Sequence, residues 1–259
     1  MMDKVQSTAV IAANIVLPGS GALVNSAFEL GKVLLQVAQV LSGLEEKASA
    51  FKTQQTNIIE DVEDFRWALD MLQRVKNQDK LTAGLQKLIM KFEAEVRNYD
   101  RVVDKYSKKN ILKQLVFHQE VDNASLNAKK TKEKLVERLT TECSIDGSVN
   151  FRSAVPIAAP IEERNKRYMK FVDSTEAMTA MGDPDNQKEI LATFSCLGRR
   201  NDVTMQNTLD TRDGVVSVIK EKLWASSSRT VRDEISNLPD WYVTEDEVEI
   251  DMSMFIGFG

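Results

Sequence analysis

Lysines dominate the residues whose types and spacing could do chemistry. Lys129, Lys130, Lys132 and Lys134 fall within about one and a half turns of a helix, and Lys108, Lys109, Lys113 and Arg138 flank them. Residues 101–138 carry ten Lys and Arg against five Asp and Glu. A polybasic cluster attracts an anionic phospholipid surface by about 1 kcal/mol per charge, so these eight side chains are candidate lipid-binding residues. The competing reading is a row of lysines that only solvates the outer face of a helix.

Other chemistries lack their parts. His118 is the only histidine, and Cys143 and Cys196 are the only cysteines, which leaves no zinc set, no Ser/His/Asp triad and no disulfide scaffold. His118 reads as a helix-start residue, and Trp67, Trp224 and Trp241 as packing anchors. The carboxylates Glu60, Asp61, Glu63 and Asp64 are expected on a solvated helix face. No metal and no cofactor are expected.

The elements that position these residues read as helices. Apolar residues recur at 23, 27, 30, 34, 37, 41 and 44; then at Ile58, Val62, Phe65, Leu69 and Leu72; then at Leu81, Leu85, Leu88, Phe92, Val96, Tyr99, Val103 and Tyr106. Ile111–Phe117 is a short apolar anchor, and a fourth long helix runs from about 117 to 143 with Val121, Leu135, Val136 and Leu139 inward. Four long amphipathic helices joined by short turns predict an all-α, up-and-down four-helix bundle over residues 1–145. A linker rich in Ser, Asn, Ala and Pro follows over 146–161. Further helices are expected over 162–181, 187–197 and 205–224, too short and polar for a core of their own.

Composition agrees with helix. Eleven Gly and five Pro among 259 residues are few, and 42 % apolar residues suffice for a core. The net charge of −5 argues against a nucleic-acid binder. Residues 1–143 carry 21 basic against 19 acidic side chains, whereas residues 144–259 carry 13 against 20. The segment Ala9–Leu17 is too short to span a bilayer and reads as a capping helix of the bundle, with a membrane-inserting helix as the alternative. Cysteine usage suits a reducing cytosol.

Toward the C-terminus an apolar run leads into Gly257-Phe258-Gly259, the first half of the glycine loop that covers ATP phosphates in protein kinases. Gly257 and Gly259 are the candidate cofactor-binding positions, non-functional as half a loop. Pro239-x-Trp241-x-Val243, four residues and Val248 precede them. Together with Arg66-Trp67-Ala68-Leu69-Asp70-Met71-Leu72-Gln73 and the run from Lys105 to Leu115, this order resembles the mixed lineage kinase domain-like family of tyrosine-kinase-like proteins. Their amino-terminal bundle is similar in fold to that of Cbl adaptors and to cell-death bundles of plant and fungal immunity proteins.

The resemblance implies a bundle (1–145) and linker (146–161), brace-like helices over 162–236, and the truncated first strand of a kinase-like domain over 237–259. It implies a protein that forms homo-oligomers, answers to an upstream signalling protein or kinase, and permeabilises anionic phospholipid membranes in necroptosis-like cell death. Such a protein is cytoplasmic and is recruited to the plasma membrane on activation. The alternative is a protein-interaction or autoinhibitory adaptor module of a signalling kinase, without membrane activity. Catalysis is expected from neither, because the kinase lysine and both catalytic aspartates would lie beyond Gly259.

Overall fold

The computed structural model describes residues 24–75, 81–143, 159–199 and 214–244. The described residues are mostly helical and contain no strand, so the described part of the chain is all-α. Ala9–Leu17, the linker residues 146–158, Leu209, and Gly257 and Gly259 lie outside them.

Ten helices are described: α1 (Val24–Ala50), α2 (Gln55–Gln73), α3 (Ala83–Ser107), α4 (Ile111–Val116), α5 (His118–Glu142), α6 (Ile161–Val172), α7 (Thr175–Gly182), α8 (Pro184–Arg199), α9 (Gly214–Ser226) and α10 (Arg229–Ser236). Side chains cap five of their N-termini. Thr82, Asn110, Ser174 and Ser228 accept hydrogen bonds from the backbone N–H groups of Leu85, Lys113, Ala177 and Val231. The Ser174 cap divides the helix expected over 162–181 into α6 and α7. Asp183 with Pro184 starts α8, its carboxylate accepting from the N–H groups of Asp185 and Asn186. Helix α10 was not anticipated from the sequence.

The chain forms two compact units, and they do not divide at one point. Among the described residues, one holds those up to 109 and from 118 to 167; the other holds 110–117 and those from 168 onward.

In the first unit the closest packed pairs are α1 with α2 and α3, and α5 with α3 and α2. Thr82 meets Glu142 and Tyr106 meets Glu120, so α3 and α5 run antiparallel, whereas Lys47 and Asp100 join the C-terminal halves of α1 and α3. The apolar stripes converge on a core in which Phe65 packs edge-on against Phe92 and Tyr99, at centroid separations of 5.9 and 6.2 Å. Ile89 rather than Leu88 faces inward on α3, and Ala124 and Ala128 take inward places on α5 where Val136 stays half-buried.

The second unit overturns the expectation that its segments lack a core. Leu112, Leu115 and Val116 of α4 are fully buried, and α4 packs against α7, α8 and α9. Ile190 of α8, Ile219 and Leu223 of α9 and Tyr168 of α6 are fully buried with them. The short apolar segment between two long helices is thus the central piece of a different core. The tryptophans do not anchor it. Trp241 is 80 % exposed, and Trp224 is half-exposed with the Arg232 guanidinium 6.0 Å over its ring; Trp67, in the first unit, is half-buried.

Candidate functional site

Helix α2 carries two buried seams side by side. Ile58, Val62, Phe65, Leu69 and Leu72 form the apolar one. Asn57, Asp61, Asp64 and Ala68, spaced 4, 3 and 4 residues, form a second that is equally buried. Helix α5 answers with Asp122, Ser125, Lys129 and Lys132, spaced 3, 4 and 3. The charged residues pair in register. Lys132 Nζ donates to both oxygens of Asp64 at 2.6 Å, and Lys129 Nζ stands 2.7 Å from Asp61 Oδ1.

Asp61 is completely buried and is the hub of the cluster. Its Oδ2 accepts from the Tyr99 hydroxyl at 2.9 Å and the Ser125 hydroxyl at 2.7 Å, and its Oδ1 accepts from Arg164. Arg164, 3 % exposed, also donates to Asp122 at 2.9 Å and to the Ala159 carbonyl at 3.2 Å. Four helices therefore meet in one cluster: α2 and α5 supply the carboxylates, α3 supplies the Tyr99 hydroxyl, and the first half of α6 supplies the guanidinium. Beside it Arg167 donates to Glu60 and Asn57, both at 2.8 Å, and Glu60 accepts from the Ala159 N–H at 3.0 Å.

The electrostatics are balanced. Asp61 and Asp122 face Arg164 and Lys129, while Asp64 faces Lys132, so the buried charges cancel, as burial in a low-dielectric interior requires. Burial opposes the Arg164 charge, but Asp61 and Asp122 outweigh it and hold the guanidinium above its ordinary pKa. Burial, reinforced by the Asp61 charge, pushes the Tyr99 phenol well above its usual range. Both groups are locked in the protonated forms that donate to Asp61. These hydrogen bonds leave Asp61 fully engaged and tie the start of α6 to α2.

The eight lysine and arginine positions expected to meet lipid scatter in the structure. Lys129 and Lys132 point into the first unit, each within an ion pair. Lys113 is 1 % exposed inside the second unit, 2.5 Å from Glu189, which also accepts from Asn110 at 2.8 Å. These three are corrected from lipid ligands to interior ion pairs; the inward seam of α5 decides it for Lys129 and Lys132, and burial of α4 in the second core for Lys113. Arg138 is exposed but pairs with Glu142 at 3.3 Å, its guanidinium crowding the backbone at Gly84, where an added Cβ would stand 2.7 Å from it. Lys108 pairs with Asp104 at 3.2 Å. Lys109 is half-buried, and Lys130 and Lys134 are exposed.

The outer face of α5 is consequently not basic. Lys130, Lys134 and Arg138 share it with Glu133, Glu137 and Glu142. The carboxylates Asp61 and Asp64, expected in solvent, are buried instead, because the 57, 61, 64 seam turns toward α5. Arg164 and Asp122 were not singled out from the sequence. The signal that could have found them is complementary charge on the 57/61/64 and 122/125/129/132 rows. His118 does start α5 and is buried there. No helix among the described residues is long and apolar enough to cross a membrane. No protein-family model, curated protein or solved structure matches this chain.

Proposed function

We propose that α1, α2, α3 and α5 form a four-helix bundle that serves as a docking and autoinhibitory module of a signalling protein, with α6 as its clasp. The observation that carries this reading is Arg164, which follows the linker in the chain and is buried between Asp61 of α2 and Asp122 of α5. A buried ion pair is weak evidence for stability, since an apolar replacement often does as well, but it fixes one arrangement among alternatives. It suits a contact that must form in one register and open as a unit. The segments 66–73, 105–115 and 239–248 favour a parent of the tyrosine-kinase-like kind, kinase or pseudokinase, with no catalysis from the residues described.

The membrane-permeabilising reading loses the cluster that motivated it, because two of the four central lysines are interior and acids balance the rest of that face. The test uses the whole chain and the Arg164→Ala variant, following hydrogen exchange in α6, sedimentation and dye release from anionic vesicles. Faster exchange in α6 together with new self-association or partner capture, and no leakage, is expected. Leakage that appears when α6 is released would restore the membrane reading. Exchange that rises with no gain in association would sink the docking module.

A further inference from the structure

Helix α3 carries a second seam on the side away from its core residues. Lys87, Lys91, Ala94, Asn98, Arg101 and Lys105 are spaced 4, 3, 4, 3 and 4, the periodicity of a helix-packing seam, and no acid stands on that row. The four cations and Ala94 are exposed, and Asn98 is half-buried. From Lys87 to Lys105 the row is straight and about 27 Å long at 1.5 Å per residue. Lys87 and Lys91 make no ion pair among the described residues, and Arg101 donates only to Asn98, at 2.8 Å. Lys105 lies 4.9 Å over the Tyr106 ring and 3.8 Å from Glu120, which holds it at the end of the row.

We propose that this outer seam of α3 docks an acidic helix of a partner protein. The seam names the partner of the docking module above and rests on that reading. Charge complementarity sets the sign, and the width of the row sets the shape. Carboxylates border it: Glu95 on one side, and on the other Glu93, paired with Arg97, and Asp104, paired with Lys108 and Lys47. A flat anionic surface laid on α3 meets these flanking acids as well as the cations, whereas a single helix runs between them. Met90, 63 % exposed, is the only large apolar side chain exposed on α3, too little to enter a bilayer. The small Ala94 at mid-row admits close approach of a second backbone.

The probe is a helical peptide of about 25 residues with glutamates at 4, 3, 4, 3 spacing on an alanine and glutamine background; a shuffled peptide of the same composition is the control. Binding to the 259-residue chain is read by fluorescence anisotropy, with vesicles of phosphatidylcholine and phosphatidylserine as a separate arm. The seam peptide is expected to bind about tenfold more tightly than the shuffled one. Lys91→Glu with Arg101→Glu should weaken it by at least about tenfold without changing the circular dichroism. Equal binding of both peptides, or indifference to the charge reversal, overturns the proposal. So does reversal-sensitive binding to vesicles without binding to the peptide. Exchange in α6 of Arg164→Ala reports on the clasp alone, so its response with no peptide binding removes this partner and leaves the module.

Discussion

Replacing Arg164 by alanine should detach the first half of α6 before it unfolds the long helices. The side chain donates to Asp61, Asp122 and the Ala159 carbonyl and is almost wholly buried. Asp61 keeps Lys129, Tyr99 and Ser125 when the guanidinium is removed. Asp122 loses the cation 2.9 Å from it inside the unit, and the loss of that buried pairing carries most of the cost. Removing one partner of a buried pair costs about 3–5 kcal/mol. At about 1.4 kcal/mol per factor of ten, the opening equilibrium of residues 159–167 should shift by roughly 150- to 5000-fold.

Hydrogen exchange with mass spectrometry reads this directly. Peptides from the start of α6 should lose protection by that factor, while peptides from the centre of α3, held by Phe92, Val96 and Tyr99, should change far less. Arg164→Met combined with Asp122→Asn removes both charges of the pair together and should recover most of the loss, because the penalty lies in breaking a buried pair on one side only. A change below tenfold at α6, or equal loss of protection throughout α3, would refute the clasp.

The remaining tests use the same unit. Lys132→Ala should cost about 3–5 kcal/mol in urea unfolding because it strands Asp64, whereas Lys130→Ala and Lys134→Ala should stay within about 0.5 kcal/mol; equal effects would mean that the seam is misassigned. Tyr99 holds its proton in the fold well above the usual phenol range, so its contribution is complete below about pH 10 and is lost as pH rises beyond it. Stability should then fall by up to about 1.4 kcal/mol per pH unit, and Tyr99→Phe should remove that share of the slope. Gln54, at the α1–α2 joint, is buried with both amide atoms lacking hydrogen-bond partners among the described residues, so Gln54→Met should raise stability by about 1 kcal/mol; a loss of that size would show that the amide is satisfied.

Periodicity made the helices legible and burial made the site illegible, for one physical reason. An apolar stripe announces its own inward direction, so the rows through Leu34, Val62 and Val96 could be oriented from residue type alone. A charged row announces nothing, because Lys129 is equally plausible in water and against Asp61 until its partner is placed. The clue was relational: acids at 61 and 64 on one helix, bases at 129 and 132 on another, each set at seam spacing and each adjoining an apolar stripe. Read singly, the lysines made a basic patch and the aspartates a solvated face. Read as a pair of rows, they cancel. The same logic separates α5 from α3, since the lysines that crowd together in sequence are divided between interior and surface. Lys87, Lys91, Arg101 and Lys105, spread over five turns at about 3.6 residues each, gather into one exposed line. Density of charge along a chain is thus a poor guide to density of charge on a surface, and helical phase is the quantity that converts one into the other.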